Sequence, residues 1–454
     1  MGHDGLTSSI SRTIADVRFP DLGSDVVTAT DRAMMDSIGI AHMGYEFVKE
    51  PFLRFATQVG GVPEATLLGD RGRVSAGLAA GFNSTMAYNS NMMESGPGDH
   101  LFDALAHTGM AMGERLGSSG RDVVTAVAIA YELNAVFYKS ARAKDRHDYV
   151  NTKKHTPVCV AVCAGKLLGF DADQLNNAIG IAWMIEPPAM DLSLKFNVFT
   201  GLGSMYNLTI CQLGTQAALL TQSGVEGPRD TMEKDGLYDH ESLAAYAPAE
   251  CYHVANELHL KPWLGSRTST GAIQLALEIV EENRIPVDAI DQVIVNAHRF
   301  YQNYPFGCLE PRSYFEGLFS VPWIIANALL GHESGPEWVL PEALSDERRH
   351  ALAEKVVIGE HPEAVAMWAT GKALGNPDVP IEVVIRSSDG EYRKSMLYRQ
   401  IRGSPENPMS DGELAAKFLR LAGRVRGSEA ARVLLDASKE TSAVEDVREI
   451  TARY

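Results

Sequence analysis

From Ser8 to about Gly271, apolar residues recur mostly at spacings of three and four, the period of an amphipathic helix. The run "DVVTATDRAMMDSIGIAHMG" keeps this period from an N-cap at Ser24 to an end near Gly44. "GRDVVTAVAIAYELNAVF" and "HTPVCVAVCAGKLLGF" are apolar nearly all round, which predicts helices buried inside a bundle. "DADQLNNAIGIAWM" starts at the capping residue Asp171, and "NLTICQLGTQAALLTQSG" ends with Gly224 in the C-terminal capping position. The Gly and Ala content of these helices predicts close helix-to-helix approach.

The period changes in "ENRIPVDAIDQVIVNAHRF", where Val293, Val295 and Ala297 alternate with polar neighbours after a proline-marked turn. In "PIEVVIRSSDGEYRKSMLY" a hairpin turn, "SSDGEY", joins two alternating runs. "SVPWIIANALLG" and "LSDERRHALAEKV" read as helices between these strands. "SPENPMSDGELAAKFLRLAG" returns to helix, with Ser410 as N-cap and Glu413 completing a capping box. The expected organisation is mainly α: a helical domain over 1–271, a smaller α+β domain over 272–404, and helices over 405–454 that rejoin the first.

With 454 residues, 45% of them hydrophobic, the chain can bury a sizeable core. A formal net charge of -17 without a basic run argues against nucleic acid and anionic membrane partners. No segment has the uninterrupted apolar length of a membrane span or a secretory signal, so a cytoplasmic protein is expected. Five cysteines are an odd number for a disulfide framework, and Cys159 and Cys163, four apart on an apolar helix, read as buried thiols. No His or Cys cluster has zinc spacing, and no metal site is expected.

One stretch carries denser chemistry. "NSNMMESGPGDH", Asn89 to His100, follows an apolar helix with a polar, glycine-rich loop. It is either a solvated connection or a mouth where Asn91, Glu94, Ser95, Asp99 and His100 meet a substrate.

These landmarks resemble the MmgE/PrpD family, which contains 2-methylcitrate dehydratase, cis-aconitate decarboxylase and iminodisuccinate epimerase. The resemblance runs through "MMDSIGIAHMG", "GGVPEATLLGD", "AAGFNSTMAYNSNMME", "GSSGRDVVTAVAIAYEL", "HTPVCVAVCAGKLLGF", "SGVEGPRDTMEKDGLY", "LKPWLGSRTSTGAIQLALE", "FSVPWIIANALLGH" and "NPMSDGELAAKF". It implies a large helical domain completed by the C-terminal helices, an α+β lid, a homodimer and an active site in the interdomain cleft. It also implies removal of a proton, water or carbon dioxide next to a carboxylate, without metal or organic cofactor. Such steps need a base, an acid and fixed positive charge.

Carried over residue by residue, the family's Asp-Phe-Asp-Asp segment falls on Asn91, Met92, Met93 and Glu94, and its following histidine on His100. A second histidine falls on His155 at a helix start, where the helix dipole disfavours imidazolium. The preceding "RHDYVNTKKH" offers Tyr149 as an acid and Lys153 or Lys154 as a cationic anchor. The family's active-site lysine falls on Lys261 of "KPWLGSRTST". Ser266 stands where cis-aconitate decarboxylases have a histidine, with Arg267 beside it to restore positive charge, and Thr270 replaces another histidine. Gly203 takes the place of a further lysine, which Lys195 lies too far away to replace. Trp323 matches a lid aromatic that is often Tyr, and keeps a stacking face.

These departures make the expected pocket less charged and more apolar than one built for tricarboxylates. They point to an acid with fewer carboxylates, or a larger, partly apolar one, bound by Asn91, Ser95, Lys154, Ser266, Arg267 and Trp323. His100, His155, Lys261 and Tyr149 are the expected catalytic groups. The expected activity is a cofactor-independent lyase; the alternatives are an isomerase or epimerase of a substituted dicarboxylate, and a catalytically degenerate ligand-binding member.

Overall fold

The computed structural model describes residues 5–69, 72–97, 100–143, 155–185, 205–244, 246, 252–370 and 376–454. It is mainly α-helical with a smaller mixed α+β region. The helices α1 (Leu6–Asp16), α2 (Ser24–Val59), α3 (Ala76–Tyr88), α4 (Phe102–Leu116), α5 (Gly120–Ala143), α6 (Thr156–Leu167), α7 (Ala172–Trp183) and α8 (Met205–Gln222) make up the first part. Strands β1 (Ala65–Thr66) and β2 (Arg73–Val74) form a short antiparallel pair between α2 and α3.

The inner helices are those with the least polar sequences. In α6 every residue from Thr156 to Gly165 is buried, and α6 packs on α4, α5 and α8. Some Thr and Asn side chains of these helices bond main-chain carbonyls one turn back, as Thr30 does to Val26 (2.8 Å) and Asn89 to Thr85 (2.7 Å). At the start of α7 the Asp171 carboxylate accepts from the Gln174 N–H, completing a capping box.

Helix α2 does not end near Gly44, as its pattern suggests, but runs on to Val59 and passes through Pro51. Gly44 marks a crossing, because a Cβ there would lie 1.9 Å from the Met86 carbonyl oxygen of α3. Proline removes only one ladder bond, and the packed remainder of the helix carries it through.

The second part has α9 (Arg267–Asn283) and α10 (Val321–Leu329) packed beside a sheet of β3 (Ile290–Ala297), β4 (Val356–Glu360), β5 (Pro380–Ser387) and β6 (Gly390–Leu397). Its order is β4-β3-β5-β6; β3 and β4 are parallel, the other neighbours antiparallel. Val293, Val295 and Ala297 of β3 face the core, as their alternation requires. The helix expected to reach Val356 stops at Ala353, and Val356 begins β4. As an edge strand β4 buries only Val356 fully, so its sequence lacks the alternation of a half-buried strand. The last helices, α11 (Asp411–Arg426) and α12 (Ser428–Ser438), return to pack on α2. No helix among the described residues is long and apolar enough to cross a membrane.

Candidate active site

The loop that follows α3 is tied down on both sides by main-chain groups. Asn91 has a positive φ of 50°, a conformation that Asn tolerates better than most residues. This turn aims its carbonyl at the Lys261 Nζ (3.0 Å) and at the Gly265 N–H (3.0 Å). The Asn91 side chain donates to the Leu318 carbonyl (2.6 Å), and the Tyr314 hydroxyl donates to the Asn89 carbonyl. Ser95 pairs with His259 through both main-chain bonds, at 2.9 and 2.8 Å. The loop therefore joins the helical part to the segment before α9 and to the α+β region.

Lys261 is fully buried. Its ammonium donates to the Asn91 carbonyl and to the Gly265 carbonyl (2.7 Å), with the Met93 sulfur at 3.9 Å. Gly265 has φ 113°, which favours glycine and lets the chain present both its N–H and its carbonyl to this spot. Burial pushes the Lys261 amine down to about 7, against the opposing pull of Glu94. Glu94 is itself buried and accepts the Phe102 N–H at the start of α4 (3.0 Å).

Arg267 opens α9, next to Ser266, whose hydroxyl caps the helix by accepting from the Ser269 N–H. The Arg267 guanidinium makes no hydrogen bond or ion pair among the described residues. Its side-chain contact is the face of Tyr398, 5.7 Å away. Desolvation lowers its pKa, and the largest opposing influences are Tyr398, Tyr131, Tyr138 and Tyr301.

Helix α5 links these groups to His155. Tyr131, Asn134 and Tyr138 fall on one helical stripe. Tyr131 abuts the loop, its hydroxyl 2.8 Å from where a Cβ on Gly96 would lie. Asn134 Oδ1 accepts from His155 Nε2 (3.1 Å), and the Tyr238 hydroxyl lies 3.2 Å from Nδ1. With Phe137 stacked on its ring at 5.4 Å, His155 is buried and held in one tautomer, Nε2 carrying the proton.

His100 reaches back to the loop it ends. A carbonyl can only accept, so its Nδ1 donates to the Glu94 carbonyl and Nε2 is the basic nitrogen. Trp323 is set within the lid core, its N–H on the Trp338 carbonyl (2.7 Å) and its ring 4.9 Å from that of His350; it is fully buried. Tyr149 and Lys154, with Lys153, Lys195 and Gly203, lie outside the described residues. The structure thus gathers Asn91, Ser95, Lys261, Ser266 and Arg267 around one crossing of loop and lid, with His100 at the loop's end.

One buried histidine at the crossing was not singled out from sequence. His259 donates from Nε2 to the Arg402 carbonyl (3.0 Å), leaving Nδ1 as an acceptor with no partner among the described residues. Burial and then the Arg267 charge hold its imidazole well below the usual histidine range. The signal was in "LHLKPW": in extended chain, His259 and Lys261 share one side while Leu258 and Leu260 share the other. The two leucines line an outer cavity of about 380 Å³ together with Arg32 and Met409.

Comparison with known proteins adds two matches. Residues 8–244 match the MmgE/PrpD N-terminal domain, and residues 266–442 match the MmgE/PrpD C-terminal domain. No curated protein matches the chain.

Proposed function

Because the chain belongs to the MmgE/PrpD family, we propose that it is a cofactor-independent lyase that removes water or carbon dioxide from a small carboxylic acid through a carbanion alpha to a carboxylate. Membership suggests lyase- or isomerase-type chemistry on a small carboxylic acid. The finer reading rests above all on Arg267, a desolvated cation without a carboxylate partner among the described residues, facing tyrosines at a helix start. A planar guanidinium in that state favours a bidentate carboxylate.

In this reading Arg267 takes the substrate carboxylate next to the reacting carbon. His100 Nε2 removes the alpha proton, and the electron pair spreads into the carboxylate held by Arg267 and protonated Lys261. Dehydration is completed when the carbon–carbon double bond forms and the beta hydroxyl leaves as water, with a proton from His155 or Tyr149. In decarboxylation the carbon–carbon bond to the departing carbon dioxide breaks and leaves its electron pair on the alpha carbon, Lys261 holds the carboxylate that stays, and His155 or Tyr149 gives the carbanion its proton. The methionines at 92 and 93, where the family resemblance implies an aromatic side chain and a charge respectively, support a substrate with fewer carboxylates or a larger apolar part than a tricarboxylate.

The test is incubation with a panel of mono- and dicarboxylic acids in deuterium oxide. Exchange at the alpha carbon with loss of water or carbon dioxide is expected. Exchange with inversion alone would instead mark an epimerase. Arg267→Met should lower the rate by about a hundredfold or more while the protein stays folded. Absence of exchange across the panel, with ligand binding indifferent to His100, His155 and Lys261 substitutions, would leave a binding protein rather than an enzyme.

A further inference from the structure

Behind Lys261 lies a second buried lysine that the proposed chemistry does not use. Lys417 of α11 is 2% exposed, and its Nζ donates to both oxygens of Asp36 of α2 (2.8 and 2.9 Å) and to the main-chain carbonyl of Lys261 (2.8 Å). Asp36 is equally deep, with 5% of its side chain exposed. The next acid along, Asp103 of α4, accepts from the Ser37 hydroxyl (2.5 Å), which also lies 3.3 Å from His107 Nε2. Two lysines and two carboxylates from α2, α4, α11 and the segment before α9 are therefore enclosed together, with Glu94 and Arg267 also acting on Lys261 and Arg420 on Lys417.

In this cluster the lysine further from the loop has the carboxylate, and Lys261 has only neutral acceptors. We propose that Lys417 is a positioning residue for Lys261: it pins the main chain that carries the Lys261 ammonium, and it occupies Asp36 so that this carboxylate does not capture Lys261. The cation at the site is thereby kept for a ligand. The inference rests on Lys261 belonging to the site, but it concerns the protonation and placement of Lys261, which can be read without any substrate.

The electrostatics agree in direction. Lys417 lowers the Lys261 pKa, and Asp36 together with its hydrogen bond opposes the desolvation of Lys417. Removing Lys417 leaves Asp36 as a buried anion with Lys261 as the nearest remaining lysine of the cluster. Removing the Asp36 charge leaves two like charges facing each other. The two changes should move Lys261 in opposite senses, which general loosening of the fold would not do.

The experiment is a pH titration followed by NMR on full-length protein labelled at lysine Cε, with Lys261→Arg used to assign the Lys261 signal. The wild-type midpoint is expected near 7. Lys417→Met should raise it by about one unit or more, and Asp36→Asn should lower it by about one unit. Lys417→Arg, which keeps the charge, should leave it close to wild type. Should Lys417→Met not fold, Asp36→Asn and Lys417→Arg decide. Midpoints that stay together in all folded variants, or that move in the same direction, overturn the proposal. Failure of the deuterium exchange panel with the opposed shifts intact would overturn the lyase reading and leave this one standing.

Discussion

Lysines at two places in the molecule are perturbed in opposite directions. On the lid surface Lys394 of β6 bonds Glu278 (2.8 Å) and Glu282 (2.5 Å), and these carboxylates raise its pKa. Arg393 beside it is paired with Glu382 and Glu391. At the crossing of loop and lid, Lys261 meets only carbonyls and a sulfur, and burial lowers its pKa to about 7. A cation paired in water is cheap to hold and contributes little, whereas one buried without a counter-charge is costly to hold. On the function proposed above, the contrast separates a cation whose charge is already matched from one whose charge a substrate carboxylate would match.

The strongest way to break this contrast is Lys261→Met. It should lower deuterium exchange or turnover by about a hundredfold to a thousandfold. Thermal unfolding should show equal or greater stability, because the fold no longer holds a desolvated amine. A large loss of stability would mean that Lys261 is structural.

Asp103→Asn probes the carboxylate side of the same enclosure. Burial raises the Asp103 carboxyl from 3.8 to about 7, despite its bond from Ser37. An acid with a raised folded pKa contributes stability fully below its unfolded value and loses it as pH rises through the folded one. The amide should therefore stabilise the protein at pH 8 by about 1–3 kcal/mol, and much less at pH 4, in urea unfolding. No difference between the two pH values would argue that the Asp103 carboxyl is not raised by the fold and is ionised there as readily as in the unfolded chain.

A smaller effect is expected on anion binding. Lys261 is charged below about 7 and neutral above it, and Asp103 gains charge over the same range, so both changes disfavour a bound carboxylate as pH rises. Calorimetry with a dicarboxylate should show affinity falling by up to about tenfold per pH unit above 7. Lys261→Met should flatten most of that slope. Smallest of all, Lys394→Ala should cost less than about 1 kcal/mol and leave exchange unchanged.

Much of the fold was legible because its signals are local. The Asp171 and Ser410 caps, the alternation of β3 and the hairpin from β5 to β6 each depend on a few neighbouring residues. Where a local signal had a second cause it misled: Gly44 reads as a helix end, but its missing side chain admits the main chain of α3. The edge strand β4 gave no alternation to read. The site was legible in its residue types more than in their states. Lys261 and Arg267 stand out in "KPWLGSRTST", yet their lack of counter-charges depends on what surrounds them in space. Lys417 and Asp36 are far apart in the chain and look like ordinary helix polar positions. His259 was passed over because only the extended conformation of its segment puts it on the same side as Lys261.

The loop from Asn89 to His100 is held mostly by peptide groups: the Asn91 carbonyl, the paired main chains of Ser95 and His259, and the carbonyls of Asn89 and Glu94. Scaffolding of that kind is indifferent to much of the side-chain text written on it. The Met92 and Met93 side chains make none of these bonds, so substitutions there can leave the loop its path. On the function proposed above, the same property lets the side chains of this short stretch change while Lys261 and Arg267 keep their stations.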